Sequence, residues 1–196
     1  MELPALLIID MVKDNFKEEK KLPITPLGRE IIDPINHLSE FFRQNGWPVV
    51  FSTDAFHEDD FIFSGRMHPH SLAGTEGAEV VENLKRHEGD FWLPKPRFSA
   101  FFNTGLENWL RERKVTLCAV AGIATNFCVL TTAMDALCHD FKVVLLDDCA
   151  AASSMEQHQH TLDLYRRNPL YPLFRVLSST ELINQLCPCT DSLQTS

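Results

Sequence analysis

Residues 115–130 constrain the fold more than any other part of the chain: Val-Thr-Leu-Cys-Ala-Val-Ala-Gly-Ile-Ala-Thr-Asn-Phe-Cys-Val-Leu. The stretch opens as an apolar run of strand length and meets a turn of small residues at 122–126. It becomes helical at Cys128, where Cys128, Thr131, Thr132, Asp135, Ala136 and His139 recur on one face and Val129, Ala133 and Leu137 on another. An apolar run bounded by a turn fits a strand buried on both faces or a buried helix segment, and the helical pattern that follows selects the strand. A strand feeding directly into a helix places Cys128 in the first helical turn. Free N–H groups and the positive end of the helix dipole there favour a thiolate. Cys128 is therefore a candidate nucleophile, although a free cysteine is also an ordinary small buried hydrophobe.

The alternation repeats along the chain. Strand-like runs fall at residues 3–9, 48–53, 90–94, 142–146 and 174–177, and the first two are followed at once by Asp10 and Asp54. Lys95 follows the third, between two prolines. Helical spacing covers about 26–45, 78–87, 106–113, 154–167 and 180–186. Strand and helix in regular succession predict an α/β fold, a parallel sheet with helices on both faces. In such a sheet a site forms outside the carboxyl ends of the strands, where the strand order reverses. Asp10, Asp54, Lys95 and the turn before Cys128 all fall on that edge. Each has a bland reading as a loop charge, but four reactive groups on one rim form a constellation. Residues 55–77, rich in Gly and His, make a long irregular connection of the kind that carries function.

Composition narrows the classes. With 196 residues, 44% hydrophobic and 23% charged, the chain suits one globular domain over 1–186, with a flexible tail at 187–196. A net charge of −9 and the lack of a basic cluster argue against nucleic-acid binding. No apolar run reaches the roughly 18 residues of a membrane span. The N-terminus enters a strand at once, so no signal peptide is expected. Six cysteines without framework spacing suggest reduced thiols and a cytoplasmic protein, with Cys187 and Cys189 in the tail as a separate pair.

Three segments carry a family resemblance. Leu6-Leu7-Ile8-Ile9-Asp10 through Phe16, then Lys95 before Arg97-Phe98-Ser99-Ala100-Phe101, then Ala121-Gly122-Ile123-Ala124-Thr125-Asn126-Phe127-Cys128-Val129 resemble, in that order, the isochorismatase-like cysteine hydrolases. These include nicotinamidases, isochorismatases and N-carbamoylsarcosine amidohydrolases. The resemblance implies a Rossmann-like three-layer α/β/α fold with a six-stranded parallel sheet. It implies Asp10, Lys95 and Cys128 as a catalytic triad that cleaves a small-molecule amide C–N bond through a Cys128 thioester. It also implies a cis peptide before Ala124, with the N–H groups of Ala124 and Cys128 as the oxyanion hole. Phe16 and Phe98, and with them Phe101, are candidate walls of the substrate pocket, and core packing is the competing role for each.

Nicotinamidase-like members bind zinc beside the triad, and Asp54, His57 and His70 are the matching candidates here, with His68 as a spare. The spacing Asp54-Ala55-Phe56-His57 is one residue longer than that pattern. The three close on a metal only if the loop bulges. Otherwise Asp54 and His70 are structural hydrogen-bonding groups, which is what the spacing favours. Homo-oligomers are usual in the family. Two other functions stay open at this point: an isochorismatase-type vinyl-ether hydrolase, and a non-enzymatic thiol-redox or binding module on the same fold.

Overall fold

The structure, a computed structural model, describes residues 2–187. Six strands, β1 (Pro4–Ile9), β2 (Val49–Asp54), β3 (Phe91–Lys95), β4 (Leu117–Ile123), β5 (Lys142–Ala151) and β6 (Phe174–Leu177), form one sheet in the order β3-β2-β1-β4-β5-β6. Every pairing is parallel. The expected α/β/α architecture is present. Side chains alternate across the pleat. Leu7 and Ile9 of β1 with Cys118 and Val120 of β4 enter one core, and Leu6, Ile8, Leu117, Ala119 and Ala121 enter the other.

Helices α3 (Leu106–Glu112), α4 (Leu130–Cys138) and α5 (Met155–Arg166) cover the first face through Leu110, Ala133 and Leu162. Helices α2 (Ile32–Gln44) and α6 (Ser179–Leu186) cover the second through Ile35, Leu38, Phe42 and Leu182. Burying each large apolar side chain contributes roughly 1.5–3 kcal/mol. The strand order runs outward in both directions from the β1–β4 pair. Asp10 and the turn after β4 flank that switch point, where such sheets bind ligands.

Local departures from the sequence reading have physical causes. The helix expected over 26–45 is two, α1 (Ile24–Glu30) and α2, joined at Ile31. Pro34 supplies no N–H to the ladder and crowds the carbonyl four residues back, so a continuous helix is broken there. The helix expected over 78–87 is absent. Val80 instead bridges Val12, the Val81 N–H goes to the Met11 carbonyl, and Asn36 holds the Asn83 carbonyl and the Lys85 N–H. Partners outside the segment satisfy its backbone, which overrides its helical spacing. Strand β5 runs past residue 146 because it bulges: Leu145 pairs Val120, yet Ala150 pairs Gly122. Of the tail, residues 188–196 lie outside the described residues, and the pairing of Cys187 with Cys189 lies there with them. Among the described residues no helix is long and apolar enough to cross a membrane.

Candidate active site

Four adjacent strands end at one rim. Asp10 follows β1 in a left-handed conformation, φ 52°, which short polar residues tolerate better than most. That geometry turns its carboxylate toward β2, where Oδ1 accepts the Asp54 N–H at 2.8 Å. Oδ2 lies 2.9 Å from Lys95 Nζ. The Lys95 ammonium, fully buried, also bonds the Asp54 carboxylate. Opposite stands the turn after β4. Gly122 has φ 103°, and a Cβ there would sit 2.1 Å from the Ile9 carbonyl oxygen. Only glycine lets β4 pass this close to β1. The cis peptide expected before Ala124 is present at Ile123–Ala124. A wide turn (Thr125–Val129), non-helical at Phe127, then leads into α4.

Cys128 thus sits just ahead of α4. One donor atom from each of Asp10, Asp54 and Cys128 lies within 4.8 Å of the others. The Ala124 carbonyl accepts the Phe127 N–H at 2.9 Å, while the Ala124 N–H has no backbone acceptor among the described residues. Ala124 and Cys128 both border a cavity of about 610 Å³ that opens over Asp10 and Asp54.

Burial sets the protonation states. It raises the Cys128 thiol well above its ordinary value; Asp10 adds to this, and Lys95 offsets only part. The pull toward a thiolate expected from a helix N-terminus is opposed here: burial first, then Asp10, outweigh the turn and the ammonium and favour the thiol. Burial, followed by the charge of Asp10, pushes Asp54 up to about 8. Burial opposes the Lys95 charge, but Asp10 and Asp54 outweigh it and hold the ammonium above the lysine range. Lys95 is thus held as an ammonium between two carboxyl groups, and Asp54 is driven toward its protonated form.

Phe98 borders the cavity, and its ring stands 6.5 Å from that of Phe127. Phe16 does not. It is buried in the second core, its ring packed so close to Gly28 that a Cβ there would come within 3.2 Å of it. Phe101 is also core, stacked on His139. Asp14, Asn15, Ile123 and Phe127 border the cavity as well. Their positions directly after β1, at the end of β4 and beside Cys128 were the available sequence signal. Asp14 accepts the Ser71 N–H at 2.8 Å and so ties the long connection to the segment after β1.

Asp54, His57 and His70, the expected metal ligands, are not brought together as one set among the described residues. Among the described residues the one grouping of metal-ligating side chains is Asp10, Asp54 and Cys128. Phe56, not a histidine, points inward after β2, fully buried and edge-on to His70 at 5.4 Å. His57 is exposed, its N–H donated to Asp60. His70 reaches the cavity but uses Nδ1 on the His68 carbonyl at 2.9 Å. Zinc takes three protein ligands at about 2 Å in sites of this kind. Asp54 is turned onto Lys95, and His68 and His70, which both border the cavity, do not group with it among the described residues. The Asp10–Asp54–Cys128 grouping is no better, because the Lys95 ammonium is already its counter-ion.

Known proteins resemble this chain in sequence and fold to differing degrees. Residues 4–181 match the isochorismatase domain model. An uncharacterized isochorismatase family protein of Bacillus subtilis, PncA, is 35% identical over 167 residues, covering 81% of this chain and 91% of the relative. The crystal structure of N-carbamoylsarcosine amidase from Thermoplasma acidophilum is similar at a TM-score of 0.78 and 30% identity, covering 91% of this chain and 97% of that one. The pyrazinamidase of Pyrococcus horikoshii in complex with zinc gives 0.77 and 28%, covering 90% and 99%. With its six-stranded parallel sheet and matching domain model, the chain belongs to the isochorismatase-like cysteine hydrolase family.

Proposed function

We propose that the protein hydrolyses the C–N bond of a small amide with Cys128 as nucleophile and Asp10 as general base and acid. The observation that carries this reading is a buried thiol and a carboxylate on one cavity, with the Lys95 ammonium paired to that carboxylate from behind. Relatives named as amidases support the reaction class.

The chemistry follows from the protonation states. Cys128 gives its proton to Asp10 as its sulfur bonds the amide carbon. The carbonyl oxygen becomes an oxyanion facing the N–H groups of Ala124 and Cys128, donors of the kind that contribute most to acyl transfer. Asp10 returns the proton to the amine nitrogen as the C–N bond breaks, leaving a thioester. Water then adds to the thioester and passes a proton to Asp10. Collapse releases the acid, and the proton returns to the Cys128 sulfur. Lys95 orients Asp10 throughout and favours its ionised form between proton transfers. No step passes through a metal. Phe98 and Phe127 supply apolar walls for the substrate body.

The test is ammonia or amine release from pyrazinamide, an N-carbamoyl amino acid and other small amides, with wild type and Cys128→Ala side by side. Turnover of at least one amide by wild type, absent in Cys128→Ala, is expected. Undiminished turnover by Cys128→Ala contradicts the reading.

A further inference from the structure

Thr125 and His158 form a buried polar contact that the chemistry above does not use. Thr125 directly follows Ala124 in the oxyanion turn, and its side chain is fully buried. A hydroxyl in that position needs a partner. It finds one in His158 of α5, with Oγ1 2.8 Å from Nδ1. His158 is itself buried, and its Nε2 lies 3.0 Å from the Asp147 carbonyl oxygen.

A carbonyl oxygen only accepts, so Nε2 carries the ring proton. Nδ1 is then an acceptor, and the Thr125 hydroxyl donates to it. The relay runs one way: Thr125 O–H to Nδ1, then Nε2–H to the Asp147 oxygen. Asp147 falls in the bulge of β5, in the stretch between Leu145 and Ala150 that has no partner on β4. The imidazole therefore links three elements: the turn after β4, helix α5 and the bulge of β5.

We infer that His158 is a positioning residue. As the Nε2–H tautomer it anchors Thr125, and through Thr125 it fixes where the Ala124 and Cys128 N–H groups point. This rests on the reading of Cys128 as nucleophile. A turn free to shift by 1 Å would move donors that must meet the oxyanion, and misplacement on that scale costs about 10²-fold in rate.

Two measurements test it. Long-range ¹H–¹⁵N NMR on the wild-type enzyme reads the tautomer without any turnover, and the Nε2–H form is expected for His158. Steady-state kinetics on an amide turned over by wild type then compares Thr125→Val, which keeps the shape and loses the donor, with Thr125→Ser, which keeps the hydroxyl. Thr125→Val is expected to lower kcat by about 10²-fold with little change in KM, because the loss falls on the transition state rather than on binding. Thr125→Ser is expected to recover most of that loss. An Nδ1–H tautomer, or a Thr125→Val enzyme with undiminished kcat, overturns the inference. Should Thr125→Val not fold, the tautomer decides. Undiminished turnover by Cys128→Ala brings down the nucleophile reading and this inference together. Loss in Cys128→Ala with none in Thr125→Val brings down this inference alone.

Discussion

Two cavities of about 610 Å³ each open at opposite edges of the sheet. The one at the amino ends of β2 and β3 is bordered by Trp47, Trp109, Arg43 and Asp90. Its ionic groups have partners: Arg43 holds Asp90 through two bonds of 3.0 and 2.7 Å, Asp90 also caps the His87 N–H, and Arg113 lies over Trp109 and 3.8 Å from Glu112. The cavity at the carboxyl ends has two buried carboxyl groups and a thiol, with one fully buried ammonium paired to both carboxyl groups. Volume does not distinguish the two. The second is distinguished by an acid left over after pairing, beside a group able to form a covalent bond. Balanced charges hold a structure together, whereas an unbalanced buried cluster has protons to move.

Substitutions at the two cavities sharpen that contrast. Asp10→Asn keeps the side chain's shape and removes the base, so kcat is expected to fall by about 10²–10⁴-fold while the fold persists. Lys95→Met removes the counter-ion of two buried carboxylates. Chemical denaturation should show a loss of about 3–5 kcal/mol, and turnover should disappear with it. At the other cavity Arg43→Ala is expected to cost about 1.5–3 kcal/mol, the value of a charged hydrogen bond. Its kcat should match wild type; an equal fall in kcat would erase the distinction between the two edges. The smallest effect is expected from metal removal. Dialysis against a chelator, followed by assay and by zinc analysis of the purified protein, should leave activity unchanged, since His57 points to solvent and Phe56 takes the inward position.

What the sequence disclosed follows the same division. Residues at strand ends were legible, because parallel topology brings every carboxyl end to one rim whatever the loops do. Asp10, Lys95 and the Cys128 turn meet for that reason. The connection over residues 55–77 was not legible, because its path depends on packing. The single extra residue between Asp54 and His57 sends Phe56 into the aromatic contact with His70 and Phe63 and leaves His57 outside. Helical spacing over 78–87 misled for a related reason, since partners on α2 and after β1 take its backbone groups. The resting state of Cys128 also needed three dimensions. The dipole argument is local, whereas burial and a second carboxylate are not. Pro34 is a different case: the residue that breaks α1 from α2 stood in the sequence, but the helical spacing over 26–45 was read across it.

The central claim is that Cys128 carries the acyl group. Rapid acid quench of the enzyme turning over its best amide, followed by peptide mass mapping, tests it directly. An acyl thioester on the Cys128 peptide, formed and lost at rates consistent with kcat and missing in Asp10→Asn, is the predicted result. Turnover with no adduct at Cys128 under conditions where hydrolysis of the acyl-enzyme is rate-limiting, or an adduct on another residue that forms at the catalytic rate, would contradict it.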